Sequence, residues 1–255
     1  MISQELEDYL SAHTTPATSL LHELERRTYL TTLYPRMISG HVLGKFLEMA
    51  SLMIRPEKIL EIGTFTGYGA VSLARGLKRG GKLITIEQNQ ELREPLEKLF
   101  REAGLEQNIR LIIGKAAEVI PGLEDSFDLV FLDADKEHYC LYYEQLINLI
   151  NPGGYLLADN VLWSMKVLDQ KYNDPETTAI RAFNKMVSTD ERVEQVLLPL
   201  RDGLMLIRKK KTGSLLTIVH NPCSFRVHII LLVLLDKGGC FCLLLYQQVT
   251  IRQAG

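Results

Sequence analysis

The chain has 255 residues, 46% of them hydrophobic, with 29 basic against 31 acidic side chains and a formal charge of −2. That length buries a sizeable core without disulfides or metals. The balance excludes disordered, collagenous and coiled-coil proteins; it gives no indication of strong electrostatic capture of nucleic acid or an anionic membrane, while leaving room for a local basic patch.

The opening MISQELEDYLSAHTT is acidic rather than signal-like, and no stretch reads as the roughly 18 uncharged apolar residues of a membrane span. Four cysteines make no disulfide framework, so a soluble protein in the reducing cytoplasm is expected. Three amphipathic stretches open the chain, at 3–12, 18–33 and 40–54. Residues 58–62 (KILEI) form a short apolar run of the buried-strand type, and a helix is predicted over 67–78. Gly80-Gly81 is a turn, 82–87 a second strand, and 90–103 a helix with Gly104 as its C-cap. Further apolar strands are predicted at 109–113, 127–132 and 155–158, with helical patterns between them and another helix around 181–187. Runs 193–198 and 204–208 are predicted to pair as a hairpin through Arg201-Asp202-Gly203. Alternating strands and helices predict a parallel, doubly wound α/β sheet, to which the hairpin adds an antiparallel strand at the edge.

Composition changes near Lys211. The last 44 residues carry only four charges (Arg226, Asp236, Lys237 and Arg252) and three of the four cysteines, Cys223, Cys240 and Cys242. The expected organisation is a working domain at 1–211, with N-terminal helices at 1–54 and a core at 58–211, followed by an apolar tail at 212–255. In that tail 229–235 and 241–246, separated by Asp236-Lys237-Gly238-Gly239, read as strand, turn and strand.

Ligands of such sheets sit beyond the carboxyl ends of the strands. The first strand runs into Glu61-Ile62-Gly63-Thr64-Phe65-Thr66-Gly67-Tyr68-Gly69. Its glycines allow close approach of backbone to ligand, although the spacing is not G-x-G-x-x-G and no Lys-Ser/Thr pair follows for a triphosphate. Glu87 ends the second strand, 24 positions after Gly63, where an acid can accept both hydroxyls of a ribose. A plain turn and a solvated carboxylate are the alternatives. Loop and acid together fit NAD or S-adenosylmethionine, and 211 residues leave little room for a dehydrogenase's second half. The fourth strand ends at Asp133 and the fifth at Asp159-Asn160. If these strands are neighbours, two carboxylates and an amide oxygen surround one cleft. That oxygen-only set suits Mg²⁺, Mn²⁺ or Ca²⁺, unless the three merely cap the following turns.

The segments ILEIGTFTGYGAVSLA (59–74), FDLVFLDADKEHYCLYYEQL (127–146), GGYLLADNVLW (153–163) and LLPLRDGLMLIRK (197–209) together resemble the cation-dependent, S-adenosylmethionine-dependent O-methyltransferases. This is the family of the caffeoyl-CoA and catechol O-methyltransferases, here most like its small bacterial members, and the match runs over residues 30–210. The resemblance implies a class I methyltransferase (Rossmann-like) fold: a seven-stranded, mostly parallel sheet with a C-terminal antiparallel strand and helices on both faces. It implies a homodimer that methylates one hydroxyl of a small vicinal aromatic diol, with S-adenosylmethionine and a divalent cation, Mg²⁺ foremost, as cofactors. By motif match Asp133, Asp159 and Asn160 correspond to the metal ligands and Lys136 to the catalytic base. Glu87 corresponds to the ribose acid, and Ala116 falls at the adenine contact. Glu61, Gly63, Thr64, Phe65, Gly67, Tyr68 and Gly69 correspond to the methionine-side loop, to which Asp133 is adjacent. Met37 and Ser39, within 37–40, resemble the segment that closes over the methionyl end.

Three positions depart from the pattern. Gly69 replaces a common Ser, Met165 replaces a Gly after Trp163-Ser164 and would narrow the acceptor mouth, and Val196 stands where animal catechol enzymes hold the second hydroxyl with a carboxylate. Chemically, a cation on both diol oxygens stabilises the phenolate. That cation and a helix N-terminus would push the Lys136 pKa down until it can take the proton. Trp163 is a candidate to stack on the acceptor. Two alternatives remain. A tRNA hydroxyuridine O-methyltransferase would need a basic rim around the cleft, from Arg36, Arg55 and Lys166, and the acidic balance of 1–211 argues mildly against it; a non-catalytic nucleotide-binding protein would need a broken metal trio.

Overall fold

Apolar runs bounded by glycines and charges become the strands of the computed structural model, which describes residues 4–211, 216–219 and 228–231. The chain divides into two units, 1–210 and 211–255. The first opens with helices α1 (Gln4–Ala12), α2 (Ser19–Thr31) and α3 (Gly40–Ile54). It then alternates β1 (Lys58–Ile62), α4 (Tyr68–Ala74), β2 (Lys82–Glu87), α5 (Arg93–Glu102), β3 (Ile109–Ile113) and α6 (Ala116–Val119). The second half runs β4 (Phe127–Leu132), α7 (Tyr139–Leu149), β5 (Ile150–Asp159), α8 (Pro175–Thr189), β6 (Val193–Leu198) and β7 (Leu204–Lys209).

The seven strands form one sheet in the order β3-β2-β1-β4-β5-β7-β6. Strands β1 to β5 run parallel to one another, and β7 is antiparallel to both β5 and β6. This is the seven-stranded class I methyltransferase arrangement expected. One detail differs: the antiparallel strand lies one place in from the edge, because β7 inserts beside β5 and leaves β6 outermost. Strand order reverses between β1 and β4, so the ends of these strands open a crevice on the carboxyl side. The central strands are buried on both faces, Ile59, Leu60, Leu129, Val130, Leu156 and Leu157 all being inaccessible, as parallel sheets require.

Two boundaries differ from the sequence expectation. The strand expected at 155 begins at Ile150. Pro152-Gly153-Gly154 reads as a loop, but a register shift opposite Phe127–Leu129 lets the chain pass through it while staying paired. Helix α4 stops at Ala74 rather than 78, giving way to bonds from Gly76 and Leu77 N–H to the carbonyls three residues back. The segment Pro35–Ile54 also corrects an expectation: its 20 residues, with mean hydropathy 1.2, are by length and composition enough to cross a membrane. Here its apolar face (Leu43, Leu47, Ala50) is buried in the core with α4's Leu73, and Lys45 pairs with Glu48 at 2.7 Å. In the second unit Leu216–Val219 and His228–Leu231 pair antiparallel. The turn and strand expected at 236–246 lie outside the described residues.

Candidate active site

One cavity of about 1300 Å³ opens at the carboxyl ends of β1, β2, β4 and β5. Its floor begins at Gly63, whose φ of +93° and whose position make any side chain untenable, since a β-carbon there would lie 1.9 Å from the Asp133 carbonyl oxygen. The glycine therefore lets the β1 loop run against the end of β4, and Asp133 N–H donates to the Ile62 carbonyl at 2.9 Å.

On the β1–β2 side the polar groups form a relay. Thr85 Oγ1 donates to Glu61 Oε2 at 2.5 Å. Its single proton so used, it accepts from Thr64 Oγ1, also at 2.5 Å. The other oxygen, Glu61 Oε1, is buried and has no partner among the described residues. Burial pushes the Glu61 carboxyl up to about 8; the Thr85 bond opposes this, while Asp133 and Glu87 push the same way. An unsatisfied buried acceptor facing a cavity fits a ligand that brings a positive donor. Glu87 accepts from Phe65 N–H through Oε2 and from Asn89 N–H through Oε1, both at 2.8 Å. Those bonds fix its orientation and still leave lone pairs for ribose hydroxyls. Ala116, Thr64, Phe65, Tyr68, Met37 and Ser39 also line the cavity. Gly67 and Gly69 do not reach its wall. A β-carbon at Gly69 would come within 2.5 Å of Glu61 Oε1, so in this chain the acid occupies the space a serine side chain would claim.

On the β4–β5 side Asp133, Asp159 and Asn160 line the same cavity, brought together because β4 and β5 are paired neighbours. Asp159 is 1% exposed. Burial pushes its carboxyl up to about 7, Asp133 adds to the rise, and Arg201 and Lys136 oppose it. Asn160 holds φ at +61°, a left-handed conformation that Asn tolerates better than most residues. Among the described residues no three His, Cys, Asp or Glu side chains form a metal cluster. The set present is two carboxylates and one amide, whose oxygen chemistry and surplus negative charge fit a hard cation.

Lys136 is 7% exposed. Its Nζ donates to Asp133 Oδ1 at 3.0 Å and to the Tyr139 hydroxyl at 2.7 Å. Tyr139 in turn donates toward the Asp159 carbonyl at 3.0 Å. Burial alone would lower the Lys136 pKa, but Tyr139, Asp133 and Asp159 outweigh it and hold it above the ordinary value. Among the chain's own groups, Tyr139 and Asp133 thus keep the proton on Lys136, while the lowering expected of a bound cation is a separate effect.

The structure adds groups that spacing did not single out. Asp135, at the cavity wall, accepts from the Tyr142 hydroxyl at 2.7 Å and is bonded to His138 Nδ1. Arg201 lines the cavity from the β6–β7 turn. Trp163 is at the wall, as expected of an acceptor-side residue, whereas Met165 is 47% exposed and Val196 is 46% exposed on the edge strand, neither lining the cavity.

The model of the O-methyltransferase family matches residues 10–210. The chain belongs to that family. The catechol O-methyltransferase of Niastella koreensis is 34% identical over 161 residues, 62% of this chain and 73% of its own length. The caffeoyl-CoA O-methyltransferase 2 of Populus trichocarpa is 33% identical over 180 residues, 66% of this chain and 73% of its own. Among solved structures, the Bacillus cereus O-methyltransferase in complex with SAH matches with a TM-score of 0.75 and 28% identity, over 81% of this chain and 97% of that one. TomG of Streptomyces achromogenes, in complex with SAM, matches with the same TM-score of 0.75 at 27% identity, over 82% and 100%. This O-methyltransferase is therefore a member of the cation-dependent, S-adenosylmethionine-dependent group, and the cavity that joins the glycine loop to the Asp133–Asp159 edge is where its chemistry is to be sought.

Proposed function

We propose that this enzyme transfers a methyl group from S-adenosylmethionine to one hydroxyl of a small vicinal aromatic diol, with a divalent cation held by Asp133, Asp159 and Asn160. The observation that carries the reading is the convergence of those three side chains with Lys136 in the same cavity as Glu61 and Glu87. Glu87 would hold the ribose, and the unpartnered Glu61 Oε1 would receive the methionyl ammonium. A divalent cation held there would supply positive charge that acidifies a bound hydroxyl. Lys136, whose Nζ bonds Asp133 at 3.0 Å and is shielded from bulk water, would take the acceptor proton after giving up its own, which Asp133 holds less firmly once its charge is offset. Trp163 offers a flat apolar face at the cavity wall for an aromatic acceptor. Holding donor and acceptor in line is worth up to about 7–11 kcal/mol, so positioning by these walls would carry much of the rate.

The test is transfer of labelled methyl from S-adenosylmethionine to a panel of catechols and to bulk tRNA, with and without excess EDTA. Catechol labelling that EDTA abolishes is the expected result. Labelling of tRNA alone would move the substrate class, and full activity in EDTA would remove the cation.

A further inference from the structure

The β6–β7 connection does more than turn the chain. Gly203 N–H already closes it by donating to the Leu200 carbonyl at 2.9 Å. The side chains of Arg201 and Asp202 take no part in that closure and reach outward to two different walls of the cavity. Arg201 Nη1 donates to the Ser39 carbonyl at 2.6 Å and Nη2 to the Arg36 carbonyl at 3.5 Å. Asp202 Oδ1 accepts from Ser164 N–H at 2.5 Å. The backbone adds two ties to the same loop, Val161 N–H to the Gly203 carbonyl at 3.0 Å and Leu162 N–H to the Asp202 carbonyl at 2.9 Å. Gly203 has φ +90°, and a β-carbon on it would lie 2.5 Å from Leu162 Cγ, so only glycine lets the loop come this close.

The loop so held is under strain. Asn160, Trp163, Ser164 and Met165 have φ of 61°, 47°, 53° and 63°, and Arg201 itself has 50°. Side-chain-bearing residues keep such conformations only when their surroundings over-determine them. Here the turn is one such restraint, beside Asn184 Nδ2 donating to the Val161 carbonyl at 2.8 Å and Arg181 Nη2 to the Lys166 carbonyl at 2.9 Å.

We propose that Arg201-Asp202-Gly203 is a positioning clamp that fixes two walls of the active cavity at once: Arg201 holds segment 36–39 over the methionyl end of the cofactor, and Asp202 holds the Trp163 loop against the acceptor. The first arm rests on the reading that 37–39 covers the cofactor. The bonds of both side chains go to the backbone of these walls, so the clamp acts through what it holds, although Arg201 also lines the cavity.

Trp163 is the only tryptophan in the chain, so its emission reports the loop without interference. The experiment uses the full-length protein and three variants, Arg201→Gln, Asp202→Ala and Asp202→Asn. Three readings are taken: SAH affinity by calorimetry, Trp163 emission, and hydrogen exchange of the peptide spanning 34–40. Arg201→Gln is expected to weaken SAH binding about tenfold and to speed exchange over 34–40, with Trp163 emission unchanged. Asp202→Ala is expected to shift Trp163 emission to the red and leave SAH affinity alone. Asp202→Asn keeps an acceptor oxygen for Ser164 N–H and is expected to restore the emission. If Arg201→Gln speeds exchange but leaves SAH affinity unchanged, the clamp stands and the placing of 37–39 over the cofactor falls. Unchanged exchange overturns the Arg201 arm, and unchanged emission in Asp202→Ala overturns the Asp202 arm. Should Arg201→Gln fail to fold, Arg201→Lys, which keeps the charge and can reach one carbonyl, is read in its place and is expected to show the same changes at smaller size.

Discussion

On the β1–β2 side of the cavity the acids and their donors come from 61–65 and 85–89, with Met37, Ser39 and Ala116 completing the wall, whereas on the β4–β5 side the lining comes from Asp133, Lys136, Asp159, Asn160, Trp163 and Arg201, spread over 69 residues of chain. The first side is bonded across two neighbouring strands: Glu87 by Asn89 N–H and by Phe65 N–H 22 positions away, Glu61 by Thr85 24 positions away. The second joins a local ion pair, Lys136 to Asp133 three positions away, to longer ties, Tyr139 to the Asp159 carbonyl 20 positions away and Arg201 to the Ser39 carbonyl 162 positions away. The contrast separates two tasks. The first task is met by the ends of two adjacent strands and their loops, while the side proposed to meet the acceptor draws on several elements.

If that division is right, the two sides fail separately. The largest effect is expected on the β4–β5 side. Asp133→Ala or Asp159→Ala removes a carboxylate from the proposed cation set, and loss of several kcal/mol of transition-state stabilisation lowers turnover by roughly a thousandfold or more. Labelled methyl transfer checks turnover and SAH calorimetry checks binding; the division breaks if Asp159→Ala loses SAH affinity as steeply as turnover. The next effect belongs to the other side. Glu87→Ala removes two hydrogen bonds to a charged acceptor, about 1.5–3 kcal/mol each, so SAH affinity should fall by roughly a hundredfold or more. Metal dependence and turnover at saturating S-adenosylmethionine should change little, and an unchanged affinity would take Glu87 out of the site.

The same contrast explains what could be read in advance. The β1 loop, Glu87 and the order of strands and helices were legible because each signal is local: an apolar run, a glycine cluster, an acid at a strand end. Asp133, Asp159 and Asn160 could be brought together from the sequence only by assuming that β4 and β5 are neighbours, which their pairing bears out. Arg201-Asp202-Gly203 read as a hairpin link and nothing more, because its partners Ser39, Arg36 and Ser164 are far away in sequence. Lys136 shows the same limit. Helix position and a bound cation argue for a lowered pKa, and the Tyr139 hydroxyl and the Asp133 ion pair, visible only in three dimensions, work the other way. The Pro152-Gly153-Gly154 stretch misled in the opposite way, since its local turn chemistry is overridden by pairing with β4.

A smaller effect, on stability rather than activity, tests the β1–β2 side alone. The Glu61 carboxyl has an ordinary value of 4.5 and is pushed by burial to about 8 in the fold. Folding therefore favours its protonated form. Stability from this group is whole below pH 4.5 and is lost as pH rises through 8. Glu61→Gln cannot titrate, so it should melt above the unchanged protein at pH 9, with the gap closing toward pH 4, while binding SAH more weakly. Thermal melts across that range check the sign; a gap that widens in acid would show that the Glu61 carboxylate is compensated within the fold.

The smallest effect is expected from removing residues 212–255. The family match ends at residue 210, the first compact unit ends at the same place, and among the described residues every one lining the cavity lies before it, Arg201 being the last. Both sides of the site are therefore expected to work without the tail. A chain ending at Lys211 should keep SAH affinity and metal-dependent methyl transfer within about twofold, a change below 0.5 kcal/mol. Light scattering on the same sample tests the expected homodimer: dimers of the shortened chain would place the interface within 1–211, and monomers would place it in the tail. Loss of methyl transfer with SAH binding intact would mean that the tail contributes to the β4–β5 side, making the acceptor half longer-ranged still; loss of both would mean that the 1–211 unit depends on the tail for its fold.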